Sequence, residues 1–191
     1  MIIPSFLRPR IDELFFRSKA EHLVSRVRKF LSPEDKIIDL GAGIGLISML
    51  FKNDQFDITP VDVQNKSLYK SVCPILYDGK KLPFPDDSFD ACFLLAVLHH
   101  TQDPEEILNE AKRVARKAII LEDIYSNRAQ KGFTYLMDSL LNMEFFSHPR
   151  SNRTDNEWRK TFQRLGFTLK KSEYFRSFLW LSHAIYYLER E

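Results

Sequence analysis

Only two cysteines, Cys73 and Cys92, occur in the 191 residues. They cannot build a disulfide framework or supply the thiolates of a structural zinc site or an iron–sulfur cluster. No metal site is expected, and so few thiols point to a reducing, cytoplasmic location. Long apolar runs are missing as well. The longest, residues 178–188, is broken by Ser182 and His183 and is too short to span a bilayer, so no transmembrane segment is expected. The opening MIIPSFLRPR lacks a charged stretch followed by a long apolar one, so no signal peptide is expected. Repeats, low-complexity tracts and linkers are not seen. Together with the length, this predicts a single domain over 1–191. The residues AVILMFWYC make up 44% and charged residues 28%, which excludes wholesale disorder.

The net charge of +2 implies no particular partner, but its distribution is uneven. Residues 1–31 hold seven Lys/Arg against three Asp/Glu, and 150–176 hold eight against three. Between them, residues 53–110 hold four against eleven. An acidic middle can form a cleft for a cationic ligand, or it can simply be solvated surface.

Apolar periodicity predicts an amphipathic helix over about 10–31 and a buried strand over 36–40 (KIIDL). A helix follows Gly45, and a strand runs over 56–61 with Pro60 marking its end. A short helix is expected after Asp62, then strands over 73–77 and 89–95. Asp103-Pro104-Glu105-Glu106 is a helix start, with an N-cap acid and proline at the first turn. The helix runs to about Val114, and a strand follows over 117–122. Residues 128–145 carry a helical stripe. Thr154 and Glu157 form a capping box for a helix carrying Trp158 and Phe162, which ends at Gly166. Two strands, 167–175 and 178–188, close the chain. Both cysteines are expected in the core. Alternating strands and helices predict an α/β fold, a parallel sheet with helices on both faces.

Glycine is scarce, six residues in all, and three of them fall in Asp39-Leu40-Gly41-Ala42-Gly43-Ile44-Gly45. The stretch follows a strand and opens a helix, where bare backbone and free N–H groups meet a ligand. A dinucleotide loop, Gly-x-Gly-x-x-Gly, needs its third glycine at position 46, which is Leu46. The observed spacing, Gly-x-Gly-x-Gly behind an acid, resembles the first motif of class I S-adenosylmethionine-dependent methyltransferases. Asp62 lies 21 residues beyond Gly41, where a carboxylate can accept from both hydroxyls of a ribose. The run from Asp78-Gly79 through Leu82-Pro83-Phe84 to Phe89-Asp90 resembles the small-molecule, quinone-biosynthesis branch of that family (methyltransferase type 11). So does Val97-Leu98-His99-His100 with Asp103. The resemblance covers about residues 36–123, with a weaker echo over 154–167.

The resemblance implies a Rossmann-like, doubly wound sheet of seven mostly parallel strands, with the last strand antiparallel. It implies S-adenosylmethionine as cofactor. Gly41, Ala42, Gly43 and Gly45 would line its methionine part, and Asp39 would sit near its ammonium. Asp62 would hold the ribose, with Val63 packed on the adenine. Asp78 would accept from the adenine amino group beside Gly79, and Ala96 would lie under the sulfonium. A cleft lined with carboxylates suits this phosphate-free cation.

The implied chemistry is in-line transfer of a methyl group to a small-molecule acceptor, with alignment supplying much of the catalysis. No catalytic residue is assigned. His100, Tyr125 and His148 are candidates on the substrate side, should the acceptor carry a proton that must leave. The N-terminal helix (about 1–31, with Phe15 and Phe16) and an insertion (about 124–150, with Tyr135, Met143, Phe145 and Phe146) are expected to cap the substrate. Nucleic acid is disfavoured: residues 95–98 (LAVL) do not supply the Asn/Asp-Pro-Pro-aromatic stretch that amino-group methylation of bases needs. Two alternatives stay open, an RNA or protein methyltransferase and a cofactor-binding protein without catalysis. One departure from the family stands out. Residues 113–117 (RVARK) lack its usual glycine pair, so the entry into the next strand should be short.

Overall fold

A computed structural model describes residues 8–127, 129–135, 151–177 and 181–191. One seven-stranded sheet organises the chain: β1 (Lys36–Leu40), β2 (Asp57–Asp62), β3 (Ile75–Leu76), β4 (Phe89–Leu95), β5 (Ala115–Ile124), β6 (Phe167–Ser177) and β7 (Leu181–Arg190), in the order β3-β2-β1-β4-β5-β7-β6. The pairings from β3 through to β5 are parallel. β7 runs antiparallel to both β5 and β6. This is the expected doubly wound sheet with its last strand reversed.

Alternation along each strand sends side chains to two separate cores. On one face Ile38, Leu40, Cys92, Leu94 and Ile120 meet α3 (Pro104–Val114) and α5 (Asp155–Arg164) through Leu108, Ala111, Trp158 and Phe162. On the other, Ile37, Ile58, Phe93 and Ile119 meet α1 (Arg8–Val27) and α2 (Leu46–Asn53) through Val24, Val27 and Phe51. Two helix starts are fixed as their residues predict. Asp103 accepts from the N–H groups of Glu105 and Glu106, and Thr154 and Glu157 close a reciprocal capping box. A further helical run, α4, occupies 129–135 within the expected 128–145.

Several expectations need correction. The third strand is only Ile75–Leu76, and the helix after Asp62 shrinks to a single tight turn, Lys70–Val72. Pro74 sits inside the predicted 73–77 strand and donates no N–H to a ladder. Cys73 is exposed rather than in the core, whereas Cys92 is fully buried on β4. Pro60 does not end its strand. It pairs with Asp39 inside β2, and β3 takes up only Val61 and Asp62 on the other side, so the proline lies beside open edge. Where the family's glycine pair is missing, α3 stops at Val114 and β5 begins at Ala115 with no residue between them. Among the described residues no helix is long and apolar enough to cross a membrane.

Candidate functional site

The crevice lies at the carboxyl ends of the parallel strands, where the chain order reverses around β1. Leaving β1, the backbone turns through Gly41, Gly43 and Gly45, all with positive φ (83°, 53° and 77°). The N–H groups of Gly41 and Ala42 donate to Val61 O at 2.8 and 3.1 Å, which ties the turn to the end of β2. Gly45 caps α2 in a left-handed conformation. The glycines do different jobs. A Cβ on Gly41 would meet Val97, and one on Gly45 would fall 2.6 Å from Ser67 Oγ, so both are close-packed. A Cβ on Gly43 would meet nothing within 4 Å. Gly43 is the one that faces open space.

Two carboxylates flank this turn. Asp62 accepts from Gly43 N–H at 2.8 Å through Oδ2 and from Gln64 N–H at 3.2 Å through Oδ1. Each oxygen keeps a second acceptor position. Asp39 is buried and accepts from Ser48 Oγ of α2 at 2.6 Å. Burial pushes its carboxyl up to about 6, the Ser48 hydroxyl opposes that rise, and the charge of Asp62 adds to it. Beyond β2, Val63 is 52% exposed and its side chain lies against the left-handed Gly79. Asp78 is exposed and accepts from the N–H groups of Lys80 and Lys81, bonds that hold its carboxyl below the usual range.

The residues that brace the crevice were not all legible in the sequence. Ala96 leaves β4 with φ 60° and donates to Leu121 O, which aims Val97 back at Gly41. Glu122, fully buried on β5, accepts from Val97 N–H (3.2 Å) and Leu98 N–H (2.8 Å), and its other oxygen lies 2.6 Å from His99 Nδ1. A buried acid facing a turn has no sequence signal beyond an acid inside an apolar strand, and KAIILE carries that weak one. The Leu82–Asp86 segment is held in the same manner. Arg113 donates to the carbonyls of Leu82 and Phe84 and to the carboxylates of Asp86 and Glu110, while Glu110 accepts from Leu82 N–H.

The glycine turn, Asp39, Asp62, Val63 and Ala96 thus converge on one edge of the sheet, with Asp78 and Gly79 beside Val63. Of the substrate-side candidates, His100 is half-buried and lies against the His99 ring at 4.1 Å, and Tyr125 sits under Lys131 Nζ at 5.1 Å. His148, Met143, Phe145 and Phe146 lie outside the described residues, as do the side chains of Phe15 and Phe16.

This geometry, a Rossmann-like sheet with a glycine turn and a carboxylate at the next strand end, defines the class I methyltransferase fold. The sequence comparison agrees: the family profile described as a methyltransferase domain matches residues 38–121. Over this region, which is under half of its length, the chain is similar to methyltransferases. It is 32% identical over 96 residues to 27-O-demethylrifamycin SV methyltransferase of Amycolatopsis mediterranei, covering 43% of this chain and 35% of that one. It is 32% identical over 90 residues to demethylmenaquinone methyltransferase of Streptomyces avermitilis, covering 44% and 39%. The chain thus spans well under half the length of these two relatives. In structure it is similar to magnesium protoporphyrin IX methyltransferase from Synechocystis PCC 6803 with bound S-adenosylhomocysteine, with TM-score 0.67, 16% identity, and coverage of 99% and 90%.

Proposed function

We propose that the protein binds S-adenosylmethionine in this crevice and transfers its methyl group to a small-molecule acceptor. The observation that carries the reading is the Gly43–Asp62 hydrogen bond. It fixes a carboxylate against a bare backbone turn that is open to a ligand, the cradle a ribose joined to an amino-acid tail requires. In this reading Gly41, Ala42, Gly43 and Gly45 line the methionine part, Asp39 faces the ammonium, and Asp62 takes the ribose hydroxyls. Val63 covers the adenine, Asp78 and Gly79 receive its amino edge, and Ala96 lies under the sulfonium. When bound, the cofactor supplies a methyl group on a good leaving group. The chain's own work is to bind, align and exclude water. The N-terminal helix and the 124–150 insertion form the acceptor's cap, and the compartment is the cytoplasm, where the exposed Cys73 thiol stays reduced.

Leu46 speaks against NAD, because it is buried where a dinucleotide loop needs its third glycine. A nucleic-acid acceptor is disfavoured by the fate of the basic segment at 150–176. Five of its eight basic residues are in ion pairs, Arg153 and Arg164 with Glu105, Arg159 with Asp155, Lys170 with Glu189 and Lys171 with Glu173, which reduces the charge open to phosphates. The relatives that act on rifamycin and menaquinone precursors support a small acceptor.

The test is thermal unfolding with S-adenosylhomocysteine. At a hundred times its Kd the ligand should add about 2.7 kcal/mol, or roughly 5–10 °C for a domain of this size. NAD should add nothing, and Asp62→Ala should remove most of the gain. An unchanged melting curve at millimolar ligand overturns the reading.

A further inference from the structure

The strand edge at β3 has no part in the chemistry above, and its composition is unlike the rest of the surface. β3 is the outermost strand on that side and pairs with β2 through Val61–Ile75 and Asp62–Leu76. Five large apolar side chains are exposed among the described residues, and four of them fall here: Val63, Leu68, Ile75 and Leu76. Adenine contact accounts for Val63 in the reading above. That leaves Leu68, Ile75 and Leu76, which are 38%, 43% and 56% exposed. Ile75 and Leu76 are successive strand residues and point to opposite faces of the sheet, yet neither joins the core on its side.

Positive charge gathers on the same segment. Residues 53–110 are acidic as a whole and hold only four basic residues, and all four, Lys66, Lys70, Lys80 and Lys81, lie between 63 and 81. Each is exposed. The lysine ion pairs among the described residues are elsewhere, at Lys117, Lys170 and Lys171. Asp78 is the one acid within 63–81, and its carboxylate is occupied by the N–H groups of Lys80 and Lys81. The fold brings the two lysine pairs to one corner. Leu68 N–H donates to Ile44 O and Ser67 lies against Gly45, which ties the 66–70 run to the glycine turn. Val63 lies against Gly79, which ties 79–81 to the end of β2.

The chemistry of the patch selects its occupant. An added strand from another protein needs a run of open backbone, but β3 is two residues long, and Pro60 and Pro74 donate no N–H. Protection of the edge would put the charges at positions 75 and 76, and those are apolar. A second copy would set lysine against lysine. Single-stranded nucleic acid calls for aromatic rings, and no aromatic side chain within 63–81 is exposed. Aliphatic side chains flanked by ammonium groups match a surface that is anionic outside and hydrocarbon within. We propose that the β3 edge docks the protein on an anionic lipid surface. Leu68, Ile75 and Leu76 enter the headgroup boundary, and Lys66, Lys70, Lys80 and Lys81 meet lipid phosphates. The contact is peripheral and reversible, and it borders the nucleoside end of the crevice through Val63 and Leu68.

Cosedimentation of the full chain with lipid vesicles tests this without knowledge of the acceptor. In about 0.1 M salt the protein should sediment with vesicles of phosphatidylcholine containing about 30% phosphatidylglycerol, and not with phosphatidylcholine alone. Raising the salt should release it, a measurement that needs no variant. The double variant Lys66→Ala/Lys70→Ala should bind about 25-fold more weakly, about fivefold for each lysine. Ile75→Ser/Leu76→Ser should bind at least about tenfold more weakly. Both pairs are exposed, so melting temperature and S-adenosylhomocysteine affinity should match wild type. No binding to the phosphatidylglycerol vesicles, or equal binding to phosphatidylcholine, overturns the proposal. So does either variant binding as wild type does, because charge and apolar contact must both contribute. Polyglutamate that binds the lysine pair as tightly as the vesicles do would point to an acidic protein and also overturn it. Failure to bind S-adenosylhomocysteine would instead sink the functional reading, on which the vesicle measurements do not depend.

Discussion

Gly41 and Val97 lie so close that a Cβ on the glycine would fall 2.5 Å from Val97 Cγ2. One turn thereby fixes the other: the glycine loop after β1 and the Ala96–Val97 exit from β4 form a single wall. Gly41→Ala should cost about 2–4 kcal/mol, through the overlap and the strain of a side chain at positive φ, and should abolish cofactor binding. Gly43→Ala differs because nothing crowds it. It should cost about 1 kcal/mol, while the added methyl group enters the crevice and weakens S-adenosylhomocysteine at least tenfold. Paired melting and calorimetric titrations separate the two effects. Equal affinity in Gly43→Ala and wild type would show that the open space beside Gly43 is not where the ligand lies.

Asp39 should make binding depend on pH. The folded protein keeps a proton up to about pH 6 that the unfolded chain sheds near 3.8, so ligand-free stability should fall from about pH 4 to pH 6 and stay lower above. A cation beside Asp39 favours the ionised form, so binding below pH 6 must expel the proton and affinity should drop between pH 7 and pH 5. Asp39→Asn should flatten both trends and raise ligand-free stability at pH 7 by about 1–3 kcal/mol. Titration calorimetry at pH 5 and 7 is the check, and an unchanged pH trend in the variant would count against this role.

Glu122 should prove as costly to remove as any core residue. Glu122→Ala removes the carboxylate that two backbone N–H groups and the His99 ring bond to, and should lose about 3–5 kcal/mol. Glu122→Gln keeps one acceptor oxygen and should lose less. Urea unfolding of both variants reads this directly. A loss below about 1 kcal/mol in the alanine variant would mean the turn is held by other means.

The parts of the molecule governed by local rules were readable in advance. KIIDL and FDACFLL form β1 and β4 at the expected bounds because their apolar runs are buried on both faces. Asp103 and Thr154 cap their helices because capping depends on residues three apart. The same locality exposed the glycine turn and the Asp62 spacing. What escaped depends on partners distant in sequence. Glu122 meets residues 23 to 25 positions away, and Asp123 meets His183 across 60. No periodicity encodes such meetings, since the first exists only once β4 and β5 have paired and the second only once β7 has inserted beside β5. Cys73 was misplaced for the opposite reason. Its apolar neighbours suggested a buried strand, but Pro74 and the two-residue edge strand leave that stretch at the surface.

The strand order divides labour in a way that bears on how such a protein can diversify. Everything assigned to the nucleoside comes from β1, β2, the loop after β3 and the exit of β4, while the hydrogen-bonded Asp123, His183 and Ser177 belong to β5, β7 and β6 on the other flank. Glu122, bonded to the 96–100 turn, is one link between the two flanks. Exchanging the segment after Ile124 for that of a relative should therefore redirect chemistry toward a different recipient while sparing the donor's berth, which makes the reversed carboxy-terminal hairpin the natural ground for acquiring new specificities.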